Sequence, residues 1–163
     1  MQYRSTRARQ GRVRRSTRAS QAKVVPRLAA ARADLDLAKG RIEEAQAWAM
    51  RAIDVAVASS RKKYEAIGRV TLARALVAGG LGHEAIGELR RAVAGAEAIR
   101  SPFIRWQALA ALGAALAASG SDPSGPRLEA AAIVRSISED LSAEHAATFL
   151  ADQRVTEVLE AAR

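Results

Sequence analysis

Glycine recurs at a forty-residue interval along this chain, at Gly40, Gly80 and Gly120. Other positions keep the same interval: Glu44-Ala45 recurs as Glu84-Ala85, Arg51-Ala52 as Arg91-Ala92, Ala56 and Ala58 as Ala96 and Ala98, and Leu72, Ala75, Leu76 and Ala78 as Leu112, Ala115, Leu116 and Ala118. A sequence period of about 20–50 residues indicates a solenoid whose repeats pack on their neighbours. The chain is therefore expected to fold as a stack of similar units.

Apolar residues spaced three and four apart predict a helix before each of these glycines. The three helical segments cover residues 26–39, 61–79 and 102–119, and a glycine suits the left-handed C-cap that follows each. Small and aliphatic residues form a second stripe after the first two glycines, at Ile42, Ala45, Ala49, Ala52, Ile53 and Ala56, and at Ala85, Ile86, Leu89, Ala92, Val93 and Ala96. We predict an all-α fold of antiparallel hairpins, stacked as a short α-solenoid of about three repeats.

The composition fits closely packed helices. Alanine supplies 39 of the 163 residues, aromatic residues are only 4 % of the chain, and cysteine is absent. Alanine is the best helix former and lets helices approach closely. The lack of cysteine excludes disulfide frameworks, thiolate zinc sites and thiol catalysis, and it favours a reducing, cytoplasmic setting.

The third hairpin departs from the forty-residue interval. Ser101-Pro102 is expected to start a helix with a capping hydroxyl and a proline in the first turn, and Asp122-Pro123 could do the same. Glu129-Ala130 follows Glu84-Ala85 by 45 residues, so we place the extra residues in a loop over 120–126. Two further helices, about 142–150 and 152–161, are predicted to cap the stack.

This pattern resembles the tetratricopeptide repeat, in which a helical hairpin carries Leu-Gly or Leu-Ala in its first helix, Gly at the turn and small Ala in its second helix. The matching residues are Leu72-Ala73, Leu76, Gly80, Ala85, Leu89 and Ala92, then Leu112-Gly113, Leu116, Gly120 and Ala130, with a weaker copy at Gly40, Ala45, Ala49 and Ala52. The resemblance covers roughly residues 26–137. It implies a non-enzymatic module for protein interaction or scaffolding.

Three departures separate the chain from the usual family pattern. The period is 40 rather than about 34 residues, Arg32 stands near an expected Leu, and the Pro that usually closes a repeat is absent. Longer repeats of this kind are similar to the C-terminal arms of large bacterial regulators, including transcription activators and signal-transduction ATPases. That resemblance implies a sensor or regulatory arm in signal transduction, either free-standing or part of a longer polypeptide.

The resemblance also implies a binding groove on the concave side of the stack. The positions expected there are Ile67, Val70, Arg74, Val77, Gln107, Ala110 and Ala114, followed by Ala78, Ala117 and Ala118. Most of these side chains are small and apolar, so the groove would accept a peptide, an apolar helix or another domain of the same polypeptide. Trp48 and Trp106 could anchor a partner, but we favour the interpretation that they fill gaps between Ala-rich helices.

Positive charge is concentrated at the start of the chain. Residues 1–33 hold ten Lys or Arg and no Asp or Glu, whereas the other residues hold 16 basic and 17 acidic side chains. We divide the chain into a disordered Arg-rich tail over 1–22 and a helical-repeat domain over 23–163. The tail could bind nucleic acid or another anionic surface through Arg4, Arg7, Arg9, Arg12, Arg14, Arg15 and Arg18. An expression artefact or a misassigned gene start would explain the same composition.

No motif in the sequence favours catalysis, a metal or a cofactor. The segment from Gly80 to Ala85 fits a loose GxGxxA pattern, but a helix is predicted before it where dinucleotide binding needs a strand. His83 and His145 are the only histidines, and the Glu beside each points to another side of its helix. No stretch is long and apolar enough to suggest a membrane span. Exposed apolar surface at the ends of so short a stack could support self-association.

Overall fold

The computed structural model describes residues 25–163, and every regular element in that range is an α-helix. The helices are α1 (25–38), α2 (Ile42–Ala58), α3 (Lys62–Ala78), α4 (Gly82–Ala98), α5 (Pro102–Ala118), α6 (Ser124–Glu139), α7 (Ala143–Leu150) and α8 (Gln153–Ala161). This confirms the predicted all-α class. The Arg-rich tail predicted over 1–22, with its candidate phosphate-binding arginines, lies outside the described residues.

One turn design is repeated between the first six helices. After α3, the N–H of Gly80 donates to the Val77 carbonyl at 3.0 Å and the N–H of Leu81 donates to the Leu76 carbonyl at 2.8 Å. This pair of bonds is a Schellman motif, which needs a residue with positive φ at its centre. Positive φ occurs every twenty residues, at Gly40, Ser60, Gly80, Arg100 and Gly120. The structural unit is therefore one helix and one turn, and two such units make the forty-residue sequence repeat.

Contacts between alternate helices give the stack an inner and an outer row. Each helix from α2 to α6 packs against the next one along the chain. α3 also contacts α5, whereas α2 and α4, or α4 and α6, touch at most marginally. An ion pair between Asp34 of α1 and Arg74 of α3, at 3.0 Å, links the inner row further. α1, α3 and α5 thus form the inner row of a helical-repeat fold.

Alanine sets the distance between the helices. Ala45, Ala49, Ala52 and Ala56 of α2 are fully buried, as are Ala85, Ala92 and Ala96 of α4. At Gly68 the approach is closer still, because a Cβ there would lie 3.0 Å from Cγ1 of Ile53. Small residues on these faces let neighbouring helices pack over their whole length. The buried alanines are those of the predicted stripes.

At the C-terminal end of the stack, a tryptophan joins the buried aliphatic residues of the core. Trp106, Leu109, Val134, Val155 and Val158 form one buried cluster that joins α5, α6 and α8. Phe149 of α7 packs against its edge. The two capping helices are therefore confirmed, and they cover the apolar end of the stack.

Two details of the predicted third hairpin were wrong. α6 begins at Ser124, inside the predicted loop, because only part of the insertion lies in the connection. α6 begins 42 residues after the start of α4, whereas its first buried alanine, Ala130, follows Ala85 of α4 by 45 residues. Two of the five extra residues therefore lie in the connection, and three lie in the helix before Ala130. At α5, Pro102 occupies the first turn as predicted, but the Ser101 hydroxyl makes no capping hydrogen bond. Before α6, Oδ1 of Asp122 accepts a hydrogen bond from the N–H of Ser124 at 2.9 Å.

An ion cluster replaces the leucine pair in the first copy of the repeat. Arg32 and Asp36 stand where the later copies have Leu72 and Leu76. The side chain of Asp36 is fully buried and accepts hydrogen bonds from Nε of Arg32 and Nε of Arg41, each at 2.9 Å. Hydrogen bonding from Arg41 lowers the pKa of Asp36, burial opposes that effect, and Arg32 adds to the lowering. The arginine at position 32, where the family has leucine, is therefore accompanied by the opposite charge of Asp36 at the second leucine position.

Candidate functional site

Residues from α3 and α5 that were predicted to line a groove meet at one cavity. Val70 and Arg74 from α3 and Gln107, Ala110 and Ala114 from α5 all line a cavity of about 470 Å³. Such a volume lies within the range typical of small-molecule sites.

Five of the ten predicted groove residues are not part of this cavity: Ile67, Val77, Ala78, Ala117 and Ala118. Ile67 is half-buried and packs against Ala29, Ala30 and Ala52. Val77 is 37 % exposed and lies outside the cavity lining. The predicted groove is therefore divided between a cavity at its centre and a more open strip towards the C-terminal ends of the inner helices.

The remaining walls come from α6 and α8. We call the whole space the C-terminal cavity, because the capping helix α8 supplies much of its lining. The residues not predicted to line it are Trp106, Ala111, Arg127, Ala130, Arg154, Glu157, Val158 and Ala161. About half of the lining residues are alanine or valine, and polar and charged side chains lie among them.

Trp106 joins the cavity to the core. The side chain is only 3 % exposed and packs within the cluster of Leu109, Val134 and Val155. It therefore fills a gap between Ala-rich helices. Phe103 contacts it edge to face, with the ring centroids 5.9 Å apart. The indole Nε1 is buried and has no hydrogen-bond partner among the described residues. A buried donor without a partner is uncommon in folded proteins.

Ion pairs neutralise two of the three arginines that line the cavity. Arg74 lies 3.0 Å from Asp34, and Arg154 lies 3.0 Å from Asp152. Burial raises the pKa of Asp34, and the charge of Arg74 opposes part of that rise. Hydrogen bonding from Arg154 lowers the pKa of Asp152. These two arginines therefore contribute little uncompensated charge to the cavity.

Arg127 is the third arginine, and it has no ion pair within residues 25–163. The side chain is half-buried and lies across Gly113 of α5. A Cβ at Gly113 would come within 2.9 Å of Cγ of Arg127, closer than real side chains approach. The glycine in the Leu112-Gly113 repeat motif thus leaves the space that Arg127 occupies.

Glu157 is the one acidic residue of the lining. Its side chain is exposed and accepts a hydrogen bond from Nε2 of Gln153 at 2.9 Å. Solvent screens an exposed carboxylate, so its effect on charges deeper in the cavity is small.

The other sequence candidates lie apart from the cavity. The GxGxxA segment covers the turn after α3 and the first residues of α4, and a helix rather than a strand precedes it. His83 is exposed, and His145 is exposed with Nδ1 2.7 Å from Oγ of Ser142. Trp48 is half-buried against Ala33 and Ala49, and the Arg51 guanidinium lies 5.5 Å from its ring centroid.

Neither a metal cluster nor a membrane-crossing helix occurs in the part of the chain that the structure describes. No group of three His, Asp or Glu side chains within 25–163 could hold a metal ion. None of the helices there combines the length and the apolarity that a membrane crossing requires.

No protein-family model matches this sequence, and no curated protein matches it either. The helical-repeat fold therefore rests on the turns, packing and periodicity described above, and function has to be argued from the inner row and its cavity.

Proposed function

We propose that this chain is a non-enzymatic module of the tetratricopeptide-repeat type that binds a protein partner on its inner row. The observation that carries the proposal is the meeting of five predicted groove residues, from α3 and α5, at one cavity. Side chains from two successive repeats thereby share a binding surface, which is how solenoids recognise their partners.

The open strip next to the cavity suits an apolar helix or peptide. Val77, Ala78, Ala114, Ala117 and Ala118 are exposed along the C-terminal halves of α3 and α5. Their small side chains would let a partner helix approach closely, and Arg74 would provide a charged contact at the edge. The mechanism is shape recognition by a rigid surface, with no chemical step.

We further propose that the module serves as the sensor or regulatory arm of a bacterial signalling or transcription regulator. The forty-residue period and the capped C-terminal end support that assignment. The partner is then either a separate protein or another domain of the same polypeptide. Binding of nucleic acid or another anionic surface through the Arg-rich tail over 1–22 stays a separate prediction from the sequence.

Photo-crosslinking in the native cell tests the protein-binding proposal. A benzoylphenylalanine at Ala114 on the inner row should capture one protein, or one domain of the same chain, identified by mass spectrometry. The matched control places the same group at Ala94, which is equally exposed on the outer helix α4. Val77→Glu should abolish the capture from Ala114, because it places a charge in the apolar strip. Equal capture from both positions, or capture unaffected by Val77→Glu, would contradict the proposal.

A further inference from the structure

One charged group that lines the C-terminal cavity has no partner in the described part of the protein. It is Arg127, whose guanidinium group has no carboxylate partner within the described residues. The indole Nε1 of Trp106 also lacks a hydrogen-bond partner there, but it has almost no accessible surface, so a molecule in the cavity does not reach it. An unpaired cation beside apolar walls favours a ligand that carries negative charge.

Apart from the polar side chains of Arg74, Gln107, Arg154 and Glu157, the rest of the lining is small and apolar. Ala110 and Ala114 of α5, Ala130 of α6 and Val158 of α8 form the surface around the charged groups. A ligand that fits must therefore bury an apolar body as well as an acidic group. The cavity volume of about 470 Å³ limits that body to a small molecule.

We propose that the C-terminal cavity binds a small amphipathic carboxylate. Arg127 pairs with the carboxylate, and the Ala and Val surface contacts the apolar body. This inference goes beyond the proposed protein-binding function. It assigns a ligand to the part of the inner row that α6 and α8 enclose.

Charge balance favours a carboxylate over a more highly charged anion. Arg74 and Arg154 already pair with Asp34 and Asp152, so only Arg127 offers an uncompensated positive charge. A phosphate dianion would leave part of its charge unpaired in an apolar cavity, which is costly.

Binding of octanoate tests this assignment, with octan-1-ol and octylamine as probes of the same chain length. The Trp48→Phe protein leaves Trp106 as the only tryptophan, so its fluorescence reports on the cavity directly. We expect saturable one-site binding of octanoate, by fluorescence and by calorimetry, and at least tenfold weaker binding of the alcohol and the amine. Failure of octanoate to saturate, or equal binding of octan-1-ol, would overturn the proposal without any variant.

Two variants locate the binding. Arg127→Met should weaken octanoate binding at least tenfold, whereas Arg135→Met, an exposed position on the same helix α6, should leave it within twofold. Each variant is first checked for unchanged helical circular dichroism. Unchanged affinity in a folded Arg127→Met protein would overturn the proposal.

Gly113→Ala provides a second route if Arg127→Met fails to fold. The added methyl group would displace the Arg127 side chain, and octanoate binding should fall in step. Crosslinking from Ala114 in the Arg127→Met protein separates the two proposals. Loss of octanoate binding with retained crosslinking assigns the cavity to the small molecule and leaves the protein-binding proposal intact.

Discussion

Two of the five turns place a side chain at a position with positive φ. Ser60 has φ of 53° and Arg100 has φ of 51°, where the other three turns have glycine. For an L-residue this region costs about 1 kcal/mol, because Cβ crowds the backbone. The repeated Schellman bonds hold these residues in place: the N–H of Ser101 donates to the Ala96 carbonyl at 2.9 Å.

Replacing Arg100 by Gly should therefore stabilise the protein by about 0.5–1 kcal/mol, since the strain exceeds the entropy that glycine loses. Arg100 is exposed and makes no side-chain hydrogen bond among the described residues. Urea unfolding measures the change. Ala94→Gly, at an exposed position inside α4, is the control and should destabilise by about 1 kcal/mol. A loss of stability in Arg100→Gly would contradict the assigned turn.

Asp36 predicts a dependence of stability on pH. Hydrogen bonds from Arg41 and Arg32 hold its pKa below the ordinary value of 3.8 in the folded protein. The carboxylate therefore stabilises the fold above that ordinary value, and the contribution is lost as the pH falls through the lowered pKa. The difference in unfolding free energy between wild type and Asp36→Asn should shrink as the pH falls from 7 towards 2. The exposed Asp54→Asn should show no comparable trend.

At the scale of the helix, packing depends on alanines that leave no space for a larger group. Ala85 and Ala92 are both fully buried within α4. Ala85→Leu or Ala92→Leu should destabilise the protein by about 1–3 kcal/mol, because the neighbouring helices must separate or the side chains must adopt strained rotamers. Chemical denaturation measures the loss, and Ala94→Leu on the exposed face of the same helix is the control. If both substitutions left the stability unchanged, Ala85 and Ala92 would not lie on the face of α4 that packs against its neighbours.

Repeat periodicity decides how much of the whole molecule can be predicted. In α3 and α5 the forty-residue period holds, and the resemblance to the tetratricopeptide repeat then implied that Val70, Arg74 and Ala114 share one surface. The turns at Ser60 and Arg100 were not predicted, because these positions have no glycine to indicate them. Backbone hydrogen bonds hold their positive φ instead. The lining residues on α6 and α8 were not predicted either, for another reason. The insertion shifts the buried positions of α6 by five residues from the forty-residue period, and α8 has no counterpart in the repeats to indicate which face is buried.

A solenoid needs its terminal units to cover the core, and here α8 has that role. Val155 and Val158 pack against Trp106, Leu109 and Val134, and no earlier helix could replace them. A chain that ends at Ala151 should unfold at a lower temperature and self-associate more strongly than the full chain, because this apolar cluster becomes exposed. Sedimentation velocity and thermal unfolding measure both effects. Val155→Asp in the full chain should reproduce them by undocking α8, whereas Glu160→Lys on its exposed side should not. An unchanged midpoint and mass in the shortened chain would mean that α8 contributes no cover to the core.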